Sequence, residues 1–275
     1  MPELPETETI ARGLDRAISG AHITRVSVRR PDVLRDLSAR TLQRRSRGAR
    51  IVRSYRRAKL VVTELDSGDR IVVQPRFTGA LIVDDGTASE HERRYAAVSF
   101  ALEDGRTLRY VDVRRLGTLA LMDPAAWEAA SAALGPEPLD PSFTPALLSG
   151  LLRGSRQAVK KLLMDQRRLA GIGNIYATEA LWRARLDPSR AGDTVTAEEA
   201  FRLYDGLTSV LREAIAARGT SFRDYRDAEG ARGEFAPRLA AYGRGGRPCP
   251  RCGTALLSTH AIDGRATVLC AHCQR

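Results

Sequence analysis

The hydrophobic pattern changes period more than once along the chain. Over residues 3–18 the apolar side chains Leu4, Ile10, Leu14 and Ile18 recur at helical spacing, with acids in the first turn and Gly20 beyond the end, so the spacing predicts an N-terminal helix. From about residue 23 to 122 the pattern is strand-like, in the runs Ile23 to Val28, Ile51 to Leu65, Ile71 to Val83 and Val98 to Leu121. Turn pairs at Ser67-Gly68, Asp85-Gly86 and Asp104-Gly105 punctuate them. Short antiparallel strands at that spacing predict a β-sandwich or barrel.

The segment Leu134-Gly135-Pro136-Glu137-Pro138-Leu139-Asp140-Pro141 suits neither period and reads as a linker. Beyond it the spacing is helical again, at about 144–152, 156–165, 174–185 and 197–218. Thr196 and Glu199 form a capping box for the last of these, and Gly219 closes it. A Gly- and Arg-rich stretch, 226–247, leads to a terminal cysteine module. The expected class is therefore α+β, with domains over 1–130, 131–238 and 239–275.

All four cysteines lie in that last module, as Cys249-x-x-Cys252 and, after 17 residues, Cys270-x-x-Cys273. Two such knuckles can converge tetrahedrally on one zinc ion, and a structural zinc is the expected cofactor. Paired disulfides or a redox pair are the rival readings; neither suits a reducing compartment or the lack of a βαβ context. Residues 255–259 and 266–269 can pair as a hairpin around Ile262-Asp263-Gly264, which places Arg265 at or beside the tip. A module this small has little core, so the metal supplies its folding free energy and sets where that arginine points. Arg265 then suits phosphate binding, or is an incidental surface charge.

Charge sharpens the expected partner. The chain has 275 residues and a formal net charge of +11, which favours a polyanion because each neutralised phosphate releases counterions. The alternative is a solvated basic surface. Only Lys59, Lys160 and Lys161 are lysines, which marks them as candidates for particular tasks. No apolar run reaches membrane-spanning length, and the opening residues carry acids where a secretory signal needs bases, so the expected location is the cytoplasm.

The start of the chain carries candidate chemistry. Removal of Met1 would leave Pro2 with a secondary amine able to attack an electrophilic sugar carbon and form an iminium. The helix dipole favours the neutral amine, whereas Glu3 and Glu6 oppose that and are themselves placed for proton transfer. Proline and acids are also what any helix start prefers. Gly171-Ile172-Gly173-Asn174, at a predicted helix start, can hold a phosphate with backbone amides and the Asn174 side chain, or serve only as an interhelical turn.

Taken in order, Pro2-Glu3-Leu4-Pro5-Glu6-Thr7-Glu8-Thr9, Arg57-Ala58-Lys59, Arg114-Arg115, Leu134 to Leu139, Ala170 to Ala177, Tyr242-Gly243-Arg244 and the cysteine module resemble the formamidopyrimidine-DNA glycosylase branch of the Fpg/Nei family. Leu4 stands where the Nei branch usually has glycine. The resemblance implies an N-terminal helix with a β-sandwich, a helix-two-turns-helix domain and a zinc-finger hairpin, with damaged double-stranded DNA in the cleft between. It implies Pro2 as nucleophile, Glu3 as proton donor and acceptor, Glu6 assisting, Lys59 linked with the first elimination and Arg265 with the second. Arg114, Arg156, Lys160, Asn174, Tyr242 and Arg244 match positions that contact DNA, the charges Arg156 and Lys160 being equally readable as a solvated face.

The match fails in one region. The family commonly fills the gap left by an extruded base with a Met, an Arg and a Phe. Here Arg114 is kept, Leu116 takes the Phe position, and Gln74-Pro75-Arg76-Phe77-Thr78-Gly79 puts Phe77 at the Met position. Phe77 then acts as a wedge in place of Met, or packs in the sandwich core. Gln74 and Tyr95 replace two family histidines. Residues 220–235, with Gly230 and Gly233, match the loop that closes over the extruded base.

The expected activity is excision of oxidised purines, 8-oxoguanine and formamidopyrimidines, followed by β- and δ-elimination. The protein is expected to work as a monomer at the nucleoid, without a small-molecule cofactor. Nei-like excision of oxidised pyrimidines and non-catalytic binding of damaged DNA are the alternatives.

Overall fold

A computed structural model describes residues 2–221, 228 and 230–275. The chain divides into two compact units, Met1–Ala132 with Ala217–Glu234, and Ala133–Ala216 with Phe235–Arg275.

The first unit opens with helix α1, Leu4–Ile18. Glu3 is its N-cap, so Pro2 precedes the helix and does not lie within its first turn. Strand β1 (Ile23–Val28) and a short helix α2 (Ala39–Ser46) follow. The four strand-like runs resolve into more strands than runs, because tight turns divide three of them. Residues 51–65 fold as β2 (Ile51–Arg57) and β3 (Leu60–Leu65), and the next run as β4 (Arg70–Gln74) and β5 (Gly79–Asp84). After helix α3 (Glu90–Tyr95) come β6 (Ala96–Leu102), β7 (Thr107–Asp112) and β8 (Thr118–Met122), and then helix α4 (Pro124–Ala132).

Two antiparallel four-stranded sheets result, ordered β1-β6-β7-β5 and β2-β3-β4-β8. Alternate residues of both sheets face a common core containing Ile23, Ile51, Val61, Val73, Leu81, Val98, Phe100 and Leu119. Helix α1 adds Ile10, Leu14 and Ile18, the stripe read from its spacing, to the same core.

The second unit holds α5 (Pro145–Leu152), α6 (Val159–Met164), α7 (Asn174–Ala184) and α8 (Ala197–Ala216). Helix α6 is shorter than the spacing suggests. Ala158 bridges to Ala191 and the Val159 N–H bonds to the Arg190 carbonyl at 2.7 Å, so extended pairing occupies the residues before it. The Thr196–Glu199 capping box is present at the start of α8, with N–H to side-chain oxygen distances of 2.9 and 3.2 Å. Strands β9 (Leu257–Thr259) and β10 (Thr267–Leu269) form the terminal hairpin, and Asp263 and Gly264 both take positive φ at its turn. No helix among the described residues is long and apolar enough to cross a membrane.

Candidate active site and zinc site

The start of α1 is a buried polar cluster. Pro2 is buried, Glu3 is 3% exposed and Glu6 only 1%. Burial of two acids is costly unless donors are aimed at them. One Glu6 oxygen accepts the Glu3 N–H at 2.8 Å, and the other accepts the Thr220 N–H at 2.7 Å. Glu6 thus ties the residue after Pro2 to the segment that follows α8. Gly219, at φ +87°, passes so close that a Cβ there would lie 2.9 Å from the Glu6 side chain.

Lys59 belongs to the turn between β2 and β3, where Ala58 takes φ +53°, and it is 8% exposed. The Thr7 hydroxyl, which donates to the Glu3 carbonyl at 2.8 Å, lies 3.5 Å from the Ala58 carbonyl. Arg56 donates to that carbonyl at 3.2 Å and to Glu8 at 2.7 Å. Burial would raise the Glu8 carboxyl, but Arg56 and Arg12 together hold it below the usual carboxylate range. The structure therefore brings Pro2, Glu3, Glu6 and the turn of Lys59 to one end of α1. Of the closing loop expected over 220–235, residues 222–227 and 229 lie outside the described residues, as does Met1. Its described edges are joined by a Thr220–Glu234 bridge and by a 2.8 Å bond from the Gly233 N–H to the Ser221 hydroxyl.

Phe77 does not pack in the sandwich core: it is 51% exposed, in the β4–β5 turn, with the Arg114 guanidinium 5.8 Å from its ring centre. Leu116 is also exposed. Tyr95 ends α3, half-buried against Ala80, Ile82, Ala96 and Val111, with the His91 ring 4.7 Å away.

In the second unit the four cysteine Sγ atoms lie within 4.8 Å of one another, and none forms a disulfide. This donor set fits one tetrahedral zinc ion. Burial opposes ionisation of Cys249, yet the Trp182 indole N–H, 3.5 Å away, and nearby backbone N–H groups bring its thiol down to about 6. Burial and the neighbouring sulfurs push Cys273 up to about 12. Four thiolates at this separation require a cation between them, which is what zinc supplies.

Lys160 overturns the solvated-face reading. It is fully buried, and its ammonium donates to the Ala266 carbonyl at 3.1 Å and the Thr267 hydroxyl at 2.8 Å. Because α6 begins only at Val159, Lys160 sits in its first turn on the buried face. Asn174, the first residue of α7, donates to the same Ala266 carbonyl at 2.9 Å. Both side chains thereby hold the backbone next to Arg265, which is itself exposed and 3.6 Å from Asp263. Arg156 is exposed and precedes α6, so it does not lie on that helix. Arg244 follows Gly243 (φ +73°), and Tyr242 is half-buried.

Sequence reasoning missed the group that fixes Tyr242 and Arg244. Glu179, fully buried on α7, accepts the N–H groups of Ala240, Ala241 and Tyr242 at 2.9, 2.9 and 2.8 Å. An acid inside the apolar run Ile175 to Leu181 is the signal that could have found it. Asp112, on the core-facing alternation of Leu108 and Tyr110, is a second such signal.

The chain matches the family described as formamidopyrimidine-DNA glycosylase N-terminal domain over residues 1–119. It matches the corresponding H2TH domain over 134–226 and the zinc finger found in FPG and IleRS over 246–275. It is 44% identical to the formamidopyrimidine-DNA glycosylase of Heliobacterium modesticaldum across the full length of both chains. Among solved structures, MutM (FPG) of Thermus thermophilus superposes with a TM-score of 0.87 at 38% identity, covering 99% of this chain and 98% of that one. Wild-type Lactococcus lactis Fpg, solved with DNA containing N7-benzyl-Fapy-dG, gives a TM-score of 0.90 at 29% identity with both chains fully covered.

Proposed function

The chain belongs to the formamidopyrimidine-DNA glycosylase family, whose members are DNA glycosylase/AP lyases of base excision repair, and from that premise we propose that it excises oxidised purines from double-stranded DNA through a covalent bond to Pro2. Its substrates are 8-oxoguanine and formamidopyrimidines, and the nick follows by β- and δ-elimination. It works as a cytoplasmic monomer at the nucleoid.

The observation that carries this reading is the cluster at the start of α1: Pro2, the buried acids Glu3 and Glu6, and the turn of Lys59 share one end of the helix. Once Met1 is removed, the Pro2 nitrogen bonds to C1′ of the deoxyribose, and the glycosidic bond breaks with its electron pair going to the base, which takes a proton. Loss of the amine proton and opening of the ring at O4′ give the iminium, with Glu3 exchanging protons at O4′ and with the base. Withdrawal of the C2′ proton breaks the C3′–O bond, and a second elimination breaks the C5′–O bond. Glu6 fixes the backbone N–H of Glu3, Lys59 supports the first elimination and Arg265 the second. Asn174, Arg114, Arg156, Tyr242 and Arg244 contact the DNA, Tyr95 lies at its margin, and Lys160 acts on the DNA indirectly by fixing the hairpin.

Cys249, Cys252, Cys270 and Cys273 bind one zinc ion, which when bound supplies the folding free energy of the hairpin. Borohydride trapping tests the mechanism. A covalent adduct should form on 8-oxoguanine duplex and map by peptide mass spectrometry to the Pro2 nitrogen, with excision lost in Glu3→Gln. An adduct mapped to any other residue, or intact mass showing Met1 retained in active protein, refutes it. Cleavage of duplexes carrying an oxidised pyrimidine faster than those carrying 8-oxoguanine overturns the substrate assignment.

A further inference from the structure

The turn that joins β2 to β3 consists of Ala58 and Lys59, because Arg57 pairs with Leu60 in the register. Ala58 takes φ +53°, a left-handed conformation that glycine adopts freely and alanine does not. Such a backbone persists only where its surroundings over-determine it. The direction in which this turn sets off decides where the Lys59 side chain is delivered.

Two neighbouring arginines restrain it. Successive residues of a strand face opposite sides of the sheet, so Arg56 reaches α1 and Arg57 reaches α4. Arg57 donates to the Ser131 hydroxyl at 3.1 Å and to the Ser131 carbonyl at 3.0 Å. Arg56 acts on the turn itself. Its side chain is 9% exposed, with Nε donating to Glu8 at 2.7 Å and Nη1 to the Ala58 carbonyl at 3.2 Å. A guanidinium is a rigid plane, so the Glu8 bond at one edge fixes the direction of the bond at the other. Thr7, fully buried beside Glu8, lies 3.5 Å from the same carbonyl and donates to the Glu3 carbonyl at 2.8 Å. A single turn of α1 thus reaches the backbone of Glu3 and, through Glu8 and Arg56, the backbone beside Lys59.

We propose that Arg56, clamped by Glu8, is a positioning residue for Lys59, a strut that locks the left-handed turn and so fixes the lysine for the first elimination. This rests on the reading of Lys59 as the lysine of that step. Displacing a reacting group by about 1 Å can cost about a hundredfold in rate, so a side chain that need not touch DNA can govern a chemical step through this carbonyl. A turn fixed before DNA arrives also avoids the entropy of ordering it on contact.

Single-turnover scission of a duplex carrying a preformed abasic site isolates elimination from base release, which is read separately on 8-oxoguanine duplex. Arg56→Met keeps the length of the side chain and leaves Glu8 its exposed partner Arg12, so no buried charge is stranded. It should slow scission about ten- to a hundredfold, with a smaller loss of base release. Lys59→Met should slow scission at least as much. The double variant should lose no more than Lys59→Met alone, because a residue that acts only through Lys59 then has nothing to position. Glu8→Gln, which keeps the shape of the clamp without its charge, should lose a smaller part of the same step at a nearly unchanged melting temperature, and the same cycle with Glu8→Gln serves if Arg56→Met folds poorly. Wild-type scission in Arg56→Met, or a double-variant loss equal to the product of the two single losses, overturns the strut. Wild-type scission in Glu8→Gln removes Glu8 from it. Failure of the underlying reading is distinguishable: Lys59→Met would then cut abasic duplex at the wild-type rate, or the wild type would trap no adduct at all.

Discussion

Replacing Glu179 with glutamine isolates the anchoring of the segment that carries Tyr242 and Arg244. One Glu179 oxygen accepts two backbone N–H groups, from Ala241 and Tyr242, and the other accepts that of Ala240. Glutamine has nearly the same shape but only one acceptor oxygen, so it can keep the pair and must turn its NH2 toward the third donor. A hydrogen bond to a charged group contributes about 1.5–3 kcal/mol, and the two that survive weaken on becoming neutral. The expected cost is about 3 kcal/mol, because the site is fully buried and water cannot replace the lost acceptor. For a unit of this size that corresponds to a fall of about 10 °C in melting temperature. Calorimetry of the zinc-loaded protein measures it, and binding to damaged duplex should weaken in parallel as Arg244 loses its setting. A shift below about 2 °C would show that the three bonds do not organise the segment, and the argument for Glu179 would fail.

Three further outcomes follow from the same structure. Arg265→Ala should reduce the slope of log affinity for damaged duplex against log salt by about one, the contribution of a single phosphate contact; an unchanged slope removes Arg265 from the phosphates. Stripping zinc with a strong chelator should abolish DNA binding, because the cluster Ala241, Cys249, Leu256, Val268 and Cys270 is too small to hold the hairpin alone. Metal-free protein that still binds refutes a structural zinc. For Asp84, burial would raise the carboxyl, but the N–H groups of Ala88 and Gly86 and the Arg109 guanidinium hold it below its ordinary 3.8. A lowered folded-state value means that its stabilisation is complete above the unfolded value and is lost as pH falls through the folded one. Asp84→Asn should therefore flatten the loss of urea midpoint between about pH 5 and 3, and parallel wild-type and mutant curves count against it.

What was legible in the sequence, and what was not, divides along one physical line. The α1 stripe, the sandwich strands, the α8 capping box and the cysteine knuckles were all readable, because each depends on neighbours close along the chain or on an unmistakable spacing. Helices α2 and α3 escaped notice because they bury almost nothing apolar; the caps Ser38 and Ser89 hold them, the latter in a capping box with Glu92. The burial of charges escaped too, although Glu6 and Lys160 were themselves singled out as candidates. Glu6, Asp112, Lys160 and Glu179 are each almost wholly enclosed, and their partners Thr220, Thr78, Ala266 and Tyr242 sit 214, 34, 106 and 63 positions away.

Local periodicity assigns such residues to the surface because an isolated buried charge is prohibitively costly. They are buried here because distant backbone groups and hydroxyls are aimed at them, an arrangement that exists only once the fold has formed. Each of the four ends on a segment the proposed chemistry needs held still: the edge of the closing loop, the Phe77 turn, the backbone beside Arg265 and the approach to Arg244. A charge at a core position of an otherwise apolar pattern is thus more than an exception to the pattern. For these four it marks where a distant segment is fastened to the scaffold, and the partner, invisible in the sequence, identifies that segment.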